Sequence, residues 1–330
     1  MIESNTRINK LDGVRAVSII LVLMTHLFPV KIGGSSYNEL TGMLGMALFF
    51  GLSGYLISVQ VCKITSAKQF LMRRLLRVVP SAWLCIAIVA CFVPISWGNA
   101  IRYGLFIANI PQQTLASPLD HLWSLCVEVQ FYVSVAGLMV FGMTYVRNFV
   151  AFFLVFVTIL RITMGVNGTS ITWYRIDDIL AGATLGFLLQ SHWRNKLRHW
   201  LGDIRLLFLV CPLLLLSAHI PGDGSINIIS YFRPYLCASF LAIIIFTENI
   251  KLDRILGGKT ARYIATISYA LYIWHIPLAA TWLGSGDLLE KYAKRPLLLA
   301  VLMLVAHFST FYYERFFNGT KKINAAVIPV

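Results

Sequence analysis

The sequence has few charged residues. Only 13% of its 330 residues are charged, about half the share that is usual in soluble domains. The mean hydropathy is +0.74, and apolar segments close to 20 residues long recur from end to end. This pattern is typical of membrane spans rather than of one large buried core. The sequence therefore predicts an all-α, multi-pass membrane helix bundle.

Acidic residues are scarcer than basic ones, with 14 Asp and Glu against 28 Lys and Arg. The basic residues cluster in the short segments between apolar runs, as in loops that face an anionic membrane leaflet. A nucleic-acid-binding protein would instead gather them on one face. We therefore expect membrane lipids as partners and no nucleic acid.

Paired cysteines and a cleavage site are also missing. The six cysteines form no C-x-x-C pair and lie mostly in apolar runs, so we expect neither disulfides nor a metal site. The first apolar run ends at His26 and Leu27 without a small-residue cleavage site, which favours a retained span. No internal repeat or low-complexity tract is visible, so residues 1–330 are expected to form a single membrane domain without an appended soluble domain.

Ten apolar runs predict ten spans. Their approximate limits are 14–30, 41–60, 78–95, 123–143, 149–166, 176–191, 205–220, 232–247, 262–282 and 296–314. The stretch 100–110 is apolar but short, which favours a re-entrant or interfacial segment. With ten spans most Lys and Arg residues fall on one side, so the positive-inside rule places both termini in the cytoplasm and the protein in the inner (cytoplasmic) membrane. The oligomeric state is left open.

Arg15 and His26 lie in the first predicted span. Eleven residues return to nearly the same helical angle, so both side chains share one face, about 16 Å apart along the axis. Ionisable side chains are costly in hydrocarbon and usually serve a function there. A neutral imidazole can accept a proton from a hydroxyl, which makes His26 a candidate catalytic base. The alternative is a histidine that only hydrogen-bonds to a neighbouring helix.

Arg73, Arg74 and Arg77 lie within about one helical turn at the inner end of span three, just before Pro80. Arginine matches phosphate oxygens with two parallel hydrogen bonds, so the trio is a candidate cofactor-binding site. Simple anchoring under the positive-inside rule is the alternative. The presence of Arg15 on the same surface favours a site for a phosphorylated cofactor.

The fourth span places Glu128 about two turns into the hydrocarbon, after Trp123 and Ser124. A buried carboxylate must be paired, protonated or exposed to a wet cavity. Glu128 is therefore expected either to orient His26 or to anchor Arg15 or another arginine as a structural group. Trp123 and Ser124 are candidate acceptor-binding or pore-lining residues.

Span nine carries Ser268, Tyr272 and His275 within a narrow arc, because offsets of four and seven residues return to nearly the same angle. His275 reaches a depth similar to that of His26, which suggests a polar outer vestibule. Hydrogen bonding between helices is the alternative role. Asp178, near the start of span six, is a further candidate pore-lining residue.

Taken in order, these segments resemble acyltransferase family 3, the integral-membrane acyltransferases that use acyl-CoA to modify envelope and secreted carbohydrates. The segments are Leu11-Asp12-Gly13-Val14-Arg15 with His26; Phe49-Phe50-Gly51-Leu52-Ser53-Gly54-Tyr55; Arg73-Arg74-Leu75-Leu76-Arg77; Leu122-Trp123-Ser124 with Glu128 and Phe131-Tyr132; Tyr174-Arg175-Ile176-Asp177; Ser268-Tyr269 with Tyr272, His275 and Pro277; and Tyr312-Tyr313-Glu314. Each motif is weak alone, but the whole set in this order is specific.

The resemblance implies ten spans with cytoplasmic termini. It also implies that Arg15 and His26 are essential for acyl transfer and that Arg74 and Arg77 belong to an arginine motif for acyl-CoA. The expected function is O-acyl transfer, most simply O-acetyl transfer, from acyl-CoA as a co-substrate to a carbohydrate hydroxyl on a lipid-linked or exported glycan. No tightly bound cofactor is expected. The alternative is a membrane transporter or exporter, which would usually show repeat symmetry and broken helices near the midplane.

Overall fold

A computed structural model of the protein describes residues 9–28, 31–32, 35–111, 115–219 and 227–317. Almost all regular structure in these ranges is helical; two short strands, β1 (Lys31–Ile32) and β2 (Ser35–Ser36), pair antiparallel. The helices are α1 (Lys10–Leu27), α2 (Tyr37–Val61), α3 (Ala67–Phe92), α4 (Trp97–Gly104), α5 (Trp123–Met139), α6 (Met143–Met164), α7 (Thr172–Arg175), α8 (Asp177–Leu189), α9 (Arg194–Leu201), α10 (Leu207–Ala218), α11 (Arg233–Phe246), α12 (Ile250–Leu256), α13 (Lys259–Ala279), α14 (Leu288–Phe308) and α15 (Arg315–Phe317). Short 3₁₀ turns precede α5, α10 and α11, and a π-helical segment, Ser309–Glu314, follows α14.

Each predicted span coincides with a helix, so the all-α, multi-pass membrane fold is confirmed. Among the described residues, six helices are long and apolar enough to cross a membrane. The number rises to seven if the pair Arg194–Leu201 and Ile204–Ala218, bent by 66°, is taken as one span. The first helix carries Lys10, Asp12 and Arg15, and α8 has only 13 residues. The count of ten spans and the side of the termini stay predictions.

The short stretch 100–110 overlaps the second half of α4 (Trp97–Gly104), which has 8 residues. At about 1.5 Å per residue, this helix covers less than half of the roughly 30 Å hydrocarbon core. It is therefore too short to cross the membrane, in agreement with a re-entrant or interfacial segment.

The third helix begins earlier than the sequence suggested. Pro80 was expected near the start of a membrane helix, but it lies inside α3, which begins at Ala67 after the cap Ser66. The Ser66 side chain accepts a hydrogen bond from the Gln69 amide, and this cap fixes the true start. The arginines of this segment therefore lie on the helix itself and have a fixed orientation toward the bundle.

Glycine allows α2 and α8 to pack with their backbones almost in contact. A Cβ atom at Gly54 would lie 2.0 Å from the Ile179 carbonyl oxygen, and one at Gly182 would lie 1.8 Å from that of Gly51. The absence of side chains at these positions is thus a steric requirement, as in other membrane helix pairs with small residues. This packing makes the Gly51–Gly54 segment a helix-packing surface and holds α2 against α8.

Candidate active site

Two cavities lie along the same helices of the bundle. The first, which we call the arginine cavity, has about 480 Å³ of space between its atoms, adjoining open solvent included. Its lining residues are Arg15, Phe49, Leu52, Ser53, Leu56, Arg74, Arg77, Val78, Glu128, Tyr132, Ser268 and Tyr269. The second, the histidine cavity, has about 660 Å³ of space, open to the surroundings in part. Its lining residues are Thr25, His26, Glu39, Gly42, Met43, Met46, His121, Trp123, Thr169, Arg175 and Tyr272.

The arginine cavity has an excess of positive charge. Arg15 of α1 meets Arg74 and Arg77 of α3, and Glu128 of α5 is the one carboxylate in the lining. No ion pair within 4 Å joins these three arginines to Glu128 in the described structure. Arg74 is the buried cation among them, and a buried cation without a close counter-ion is costly, so the cavity favours an anionic ligand.

Arg74 is the most enclosed of the three arginines, with only 7% of its surface exposed. Its Nη2 donates to the Leu56 carbonyl at 3.3 Å, and its guanidinium lies 5.7 Å from the centre of the Tyr132 ring. Its Nε has no hydrogen-bond partner. Arg74 is thus oriented by α2 and α5 and keeps donor capacity for a ligand.

Arg73 differs from its two neighbours. It is exposed and does not line the arginine cavity, because the helix turns it about 100° away from Arg74. Of the predicted trio, the structure brings together Arg74 and Arg77 and adds Arg15, while Arg73 lies apart.

Glu128 lies in the arginine cavity and not beside His26. Its Oε1 accepts hydrogen bonds from the hydroxyls of Ser53 and Tyr132, the latter at 2.6 Å. Of the two positions that the sequence left open, the structure places Glu128 near the arginines. The prediction that Glu128 orients His26 is therefore wrong, since no contact joins the two residues. The helical pattern predicted the depth of Glu128 in the membrane but could not predict its neighbours.

His26 is instead hydrogen-bonded to His275. The carbonyl oxygen of Tyr272 lies 2.6 Å from His275 Nδ1, and a carbonyl only accepts, so this nitrogen carries a hydrogen. In the neutral ring, His275 Nε2 is then an acceptor, and it lies 3.3 Å from His26 Nδ1. The rings belong to α13 and α1, and their centres are 5.0 Å apart.

These contacts fix the tautomer of His26. Its Nδ1 also lies 3.0 Å from the Val22 carbonyl oxygen, so both partners of Nδ1 are acceptors and Nδ1 must carry the hydrogen. This assignment follows from the hydrogen-bond partners. The lone pair is therefore on Nε2, which no described residue occupies. His26 lines the histidine cavity and is exposed, so this nitrogen is available as a proton acceptor.

Tyr272 lines the histidine cavity and is held there by hydrogen bonds. Its hydroxyl donates to the His121 carbonyl and lies 2.6 Å from the Ser124 hydroxyl, which completes a buried network between α5 and α13. Ser124 therefore acts here as a support of Tyr272. His121, in turn, lies 3.1 Å from the Ile273 carbonyl through Nε2. The described part of the chain contains no group of three His, Cys, Asp or Glu side chains placed to hold a metal ion.

Asp178 lines neither cavity, which corrects its expected place in a pore. It is fully buried and pairs with Arg175 at 3.1 Å. Arg175 is the residue that reaches the histidine cavity, where its guanidinium lies 5.8 Å from the Trp123 ring centre and 6.0 Å from that of Phe50. The signal in the sequence for Arg175 is a cation close to an acid at the start of an apolar run.

The other expected lining residues divide between the two cavities. Trp123 and Tyr272 line the histidine cavity, and Ser268 lines the arginine cavity. His275 is fully buried behind His26 rather than in the lining. Ser53 and Tyr132, the partners of Glu128, become visible as site residues only in the structure.

Comparisons with known proteins identify relatives of this chain. The chain is 26% identical over 333 residues to a peptidoglycan O-acetyltransferase of Listeria monocytogenes, which covers 83% of this chain and 50% of that protein. It is 25% identical over 310 residues to a putative O-acetyltransferase of Staphylococcus aureus (80% and 49%). It is also 25% identical over 326 residues to a putative peptidoglycan O-acetyltransferase of Bacillus subtilis (81% and 48%). The chain thus spans about half the length of these relatives.

The fold and these relatives define a multi-pass membrane protein of an acyltransferase class. The family described as an acyltransferase domain matches residues 8–315. The chain therefore belongs to acyltransferase family 3, as the sequence motifs indicated.

Proposed function

We propose that this protein transfers an acyl group, most simply acetyl, from a coenzyme A thioester to a carbohydrate hydroxyl. The observation that carries the proposal is the pair of cavities on one set of helices, one built for an anion and the other containing a proton acceptor. The names of the relatives, which include O-acetyltransferases, support acetyl as the group that is moved.

The arginine cavity is the proposed donor site. Coenzyme A carries phosphate groups, and arginine binds phosphate oxygens strongly through charge-assisted hydrogen bonds. Arg74 and Arg77, with Arg15 beside them, supply these donors, and the acyl-CoA binds as a co-substrate that leaves after each reaction. Arg73 would then contribute only to the charge of the surface.

His26 is the proposed general base. Its Nε2 takes the proton of the acceptor hydroxyl while the hydroxyl oxygen attacks the thioester carbonyl carbon. The carbon–sulfur bond then breaks, and the coenzyme A thiolate leaves and takes up the proton from the imidazolium. His275 holds the His26 ring in the required tautomer, as the acid of a catalytic triad does for its histidine. A covalent acyl-histidine relay is the mechanistic alternative.

The histidine cavity is the proposed acceptor site. Trp123 offers an aromatic face and Arg175 a cation to a sugar ring. The acceptor is expected to be a lipid-linked or exported glycan, such as peptidoglycan, O-antigen or exopolysaccharide, and two of the relatives carry peptidoglycan in their names. By the positive-inside rule, the arginine cavity faces the cytoplasm of a cell whose inner membrane holds the protein.

The test supplies acetyl-labelled acetyl-CoA to membrane vesicles that contain the protein and follows release of the thiol and label on carbohydrate. We expect both, in amounts that depend on the protein. A transporter would move its solute without consuming acyl-CoA, so absence of thiol release would contradict the proposal. Omitting the acceptor separates the two mechanisms, because only the relay leaves labelled acyl groups on the enzyme.

A further inference from the structure

The two cavities come within one helical turn of each other. On α2, Met46 lines the histidine cavity and Phe49 lines the arginine cavity. On α13, Tyr272 lines the histidine cavity and Ser268, four residues earlier, lines the arginine cavity. Because two helices that run in opposite directions change cavity at the same depth, the boundary between the cavities is a single layer across the bundle.

This layer is filled by two aromatic rings. Phe49 stacks on Tyr272 with ring centres 6.1 Å apart and an angle of 18° between the ring planes. Each ring faces a different cavity, so the stacked pair forms the wall between them. We call Phe49 and Tyr272 the aromatic partition.

The two rings of the partition are held very differently. Tyr272 is 4% exposed and fixed by hydrogen bonds of its hydroxyl to Ser124 and to the His121 carbonyl. Phe49 is half-buried and has only packing contacts, with Phe50 and Tyr272 among the rings around it. A rotation of Phe49 therefore breaks no hydrogen bond, whereas Tyr272 cannot move without leaving polar groups unpaired.

We infer that the aromatic partition limits the size of the acyl group, with Phe49 as the specificity-determining residue. This inference rests on the proposed function. A donor whose phosphates occupy the arginine cavity must place its thioester carbonyl near His26, which lies in the other cavity. The acyl group must therefore pass the stacked rings of Phe49 and Tyr272. Since a larger acyl group needs a larger displacement of Phe49, we expect a two-carbon group to be transferred more readily than a four-carbon group.

The test compares thiol release from acetyl-CoA, propionyl-CoA and butyryl-CoA in vesicles that contain the full chain. One extra methylene in a fitted pocket changes kcat/KM by about 10-fold to 200-fold. We expect the wild type to prefer acetyl-CoA and Phe49→Ala to reduce the acetyl-to-butyryl preference at least about tenfold. Phe49→Leu should lie between the two. Phe153→Ala, which removes a half-buried ring from α6, should keep the wild-type preference.

A second measurement does not depend on catalysis. Ser268→Cys places a thiol in the arginine cavity, and the membrane-impermeant reagent sulfonatoethyl methanethiosulfonate is added on the side of the histidine cavity. Labelling is read by mass spectrometry of the peptide that contains position 268. We expect slow labelling when Phe49 is present and clearly faster labelling in the Phe49→Ala background, because removal of the ring opens the boundary between the cavities.

An unchanged donor preference in active Phe49→Ala would overturn the inference, as would equal labelling rates with and without Phe49. If the wild type consumes no acyl-CoA at all, the proposed function fails and the acyl-size claim fails with it. The labelling rates then still decide whether the partition separates the cavities.

Discussion

The arginine cavity and the histidine cavity lie on the same helices but differ in how their polar groups are satisfied. In the arginine cavity three cations face one carboxylate, and the carboxylate is bonded to hydroxyls rather than to arginine. In the histidine cavity His26 is hydrogen-bonded to His275 and to the Val22 carbonyl, and these contacts leave its other ring nitrogen free. Unbalanced charge is suited to binding, and a fixed lone pair is suited to proton transfer. We therefore expect a substitution in the arginine cavity to change mainly KM for acetyl-CoA and loss of His26 in the histidine cavity to change mainly kcat.

The largest effect is expected for His26→Ala. Loss of a general base costs about 10²-fold to 10⁴-fold in rate, while binding of acetyl-CoA in the other cavity should be unchanged within about twofold. The measurement is kcat for thiol release together with the dissociation constant for acetyl-CoA. His307→Ala serves as the matched control, because His307 lines neither cavity. Full activity of His26→Ala would remove the proposed base.

The second effect concerns an ion pair that lines neither cavity and that we expect to be structural. Arg161 and Asp177 are almost fully buried and paired with each other. Asp177→Ala leaves Arg161 as an uncompensated buried cation, which costs about 3–5 kcal/mol of stability. The melting temperature in detergent should fall strongly, and Arg161→Met in the Asp177→Leu background should recover much of it. A variant of wild-type stability would show that this pair is not structural.

The third effect contrasts two adjacent arginines. Arg74→Ala should raise KM for acetyl-CoA about 10-fold to 100-fold, since a hydrogen bond to a charged group contributes about 1.5–3 kcal/mol. Its effect on kcat should be smaller. Arg73→Ala should raise KM much less, because Arg73 lies outside the cavity. Equal losses for the two variants would indicate that surface charge alone attracts the donor.

The smallest effect is expected for Ser124→Ala. The hydroxyl is one of two partners of Tyr272, and its loss costs about 0.5–1.5 kcal/mol. The melting temperature should fall slightly while KM for acetyl-CoA stays the same. A large increase in KM would mean that Ser124 contacts the donor directly.

The contrast between the cavities also marks the limit of prediction from sequence. Apolar runs located the helices, and helical spacing placed Arg15 and His26 on one face of α1. The contact between His26 and His275 joins residues that are 249 positions apart, and no local pattern shows which helices pack together. The same limit explains why the neighbours of Glu128 were not predicted. Its depth followed from its position in span four, but its neighbours depend on how α2 and α3 pack against α5.

Pairing explains the correction at the start of α8, and the rotation of the helix explains the one in α3. The sequence contains both Asp178 and Arg175 as charged residues. Only the structure shows that Asp178 is buried in an ion pair with Arg175 and that Arg175 lines the histidine cavity. Arg73 and Arg74 are adjacent in sequence, and their different environments follow from the rotation of one helical residue relative to the bundle.

The most direct test of the account uses vesicles of known orientation, because acetyl-CoA does not cross a bilayer. Labelled acetyl-CoA is supplied on one side at a time, and label on carbohydrate is counted. We expect transfer when the donor is on the side of the arginine cavity and none when it is only on the side of the histidine cavity. Equal transfer from both sides, or transfer only from the histidine side, would contradict the assignment of donor and acceptor to the two cavities.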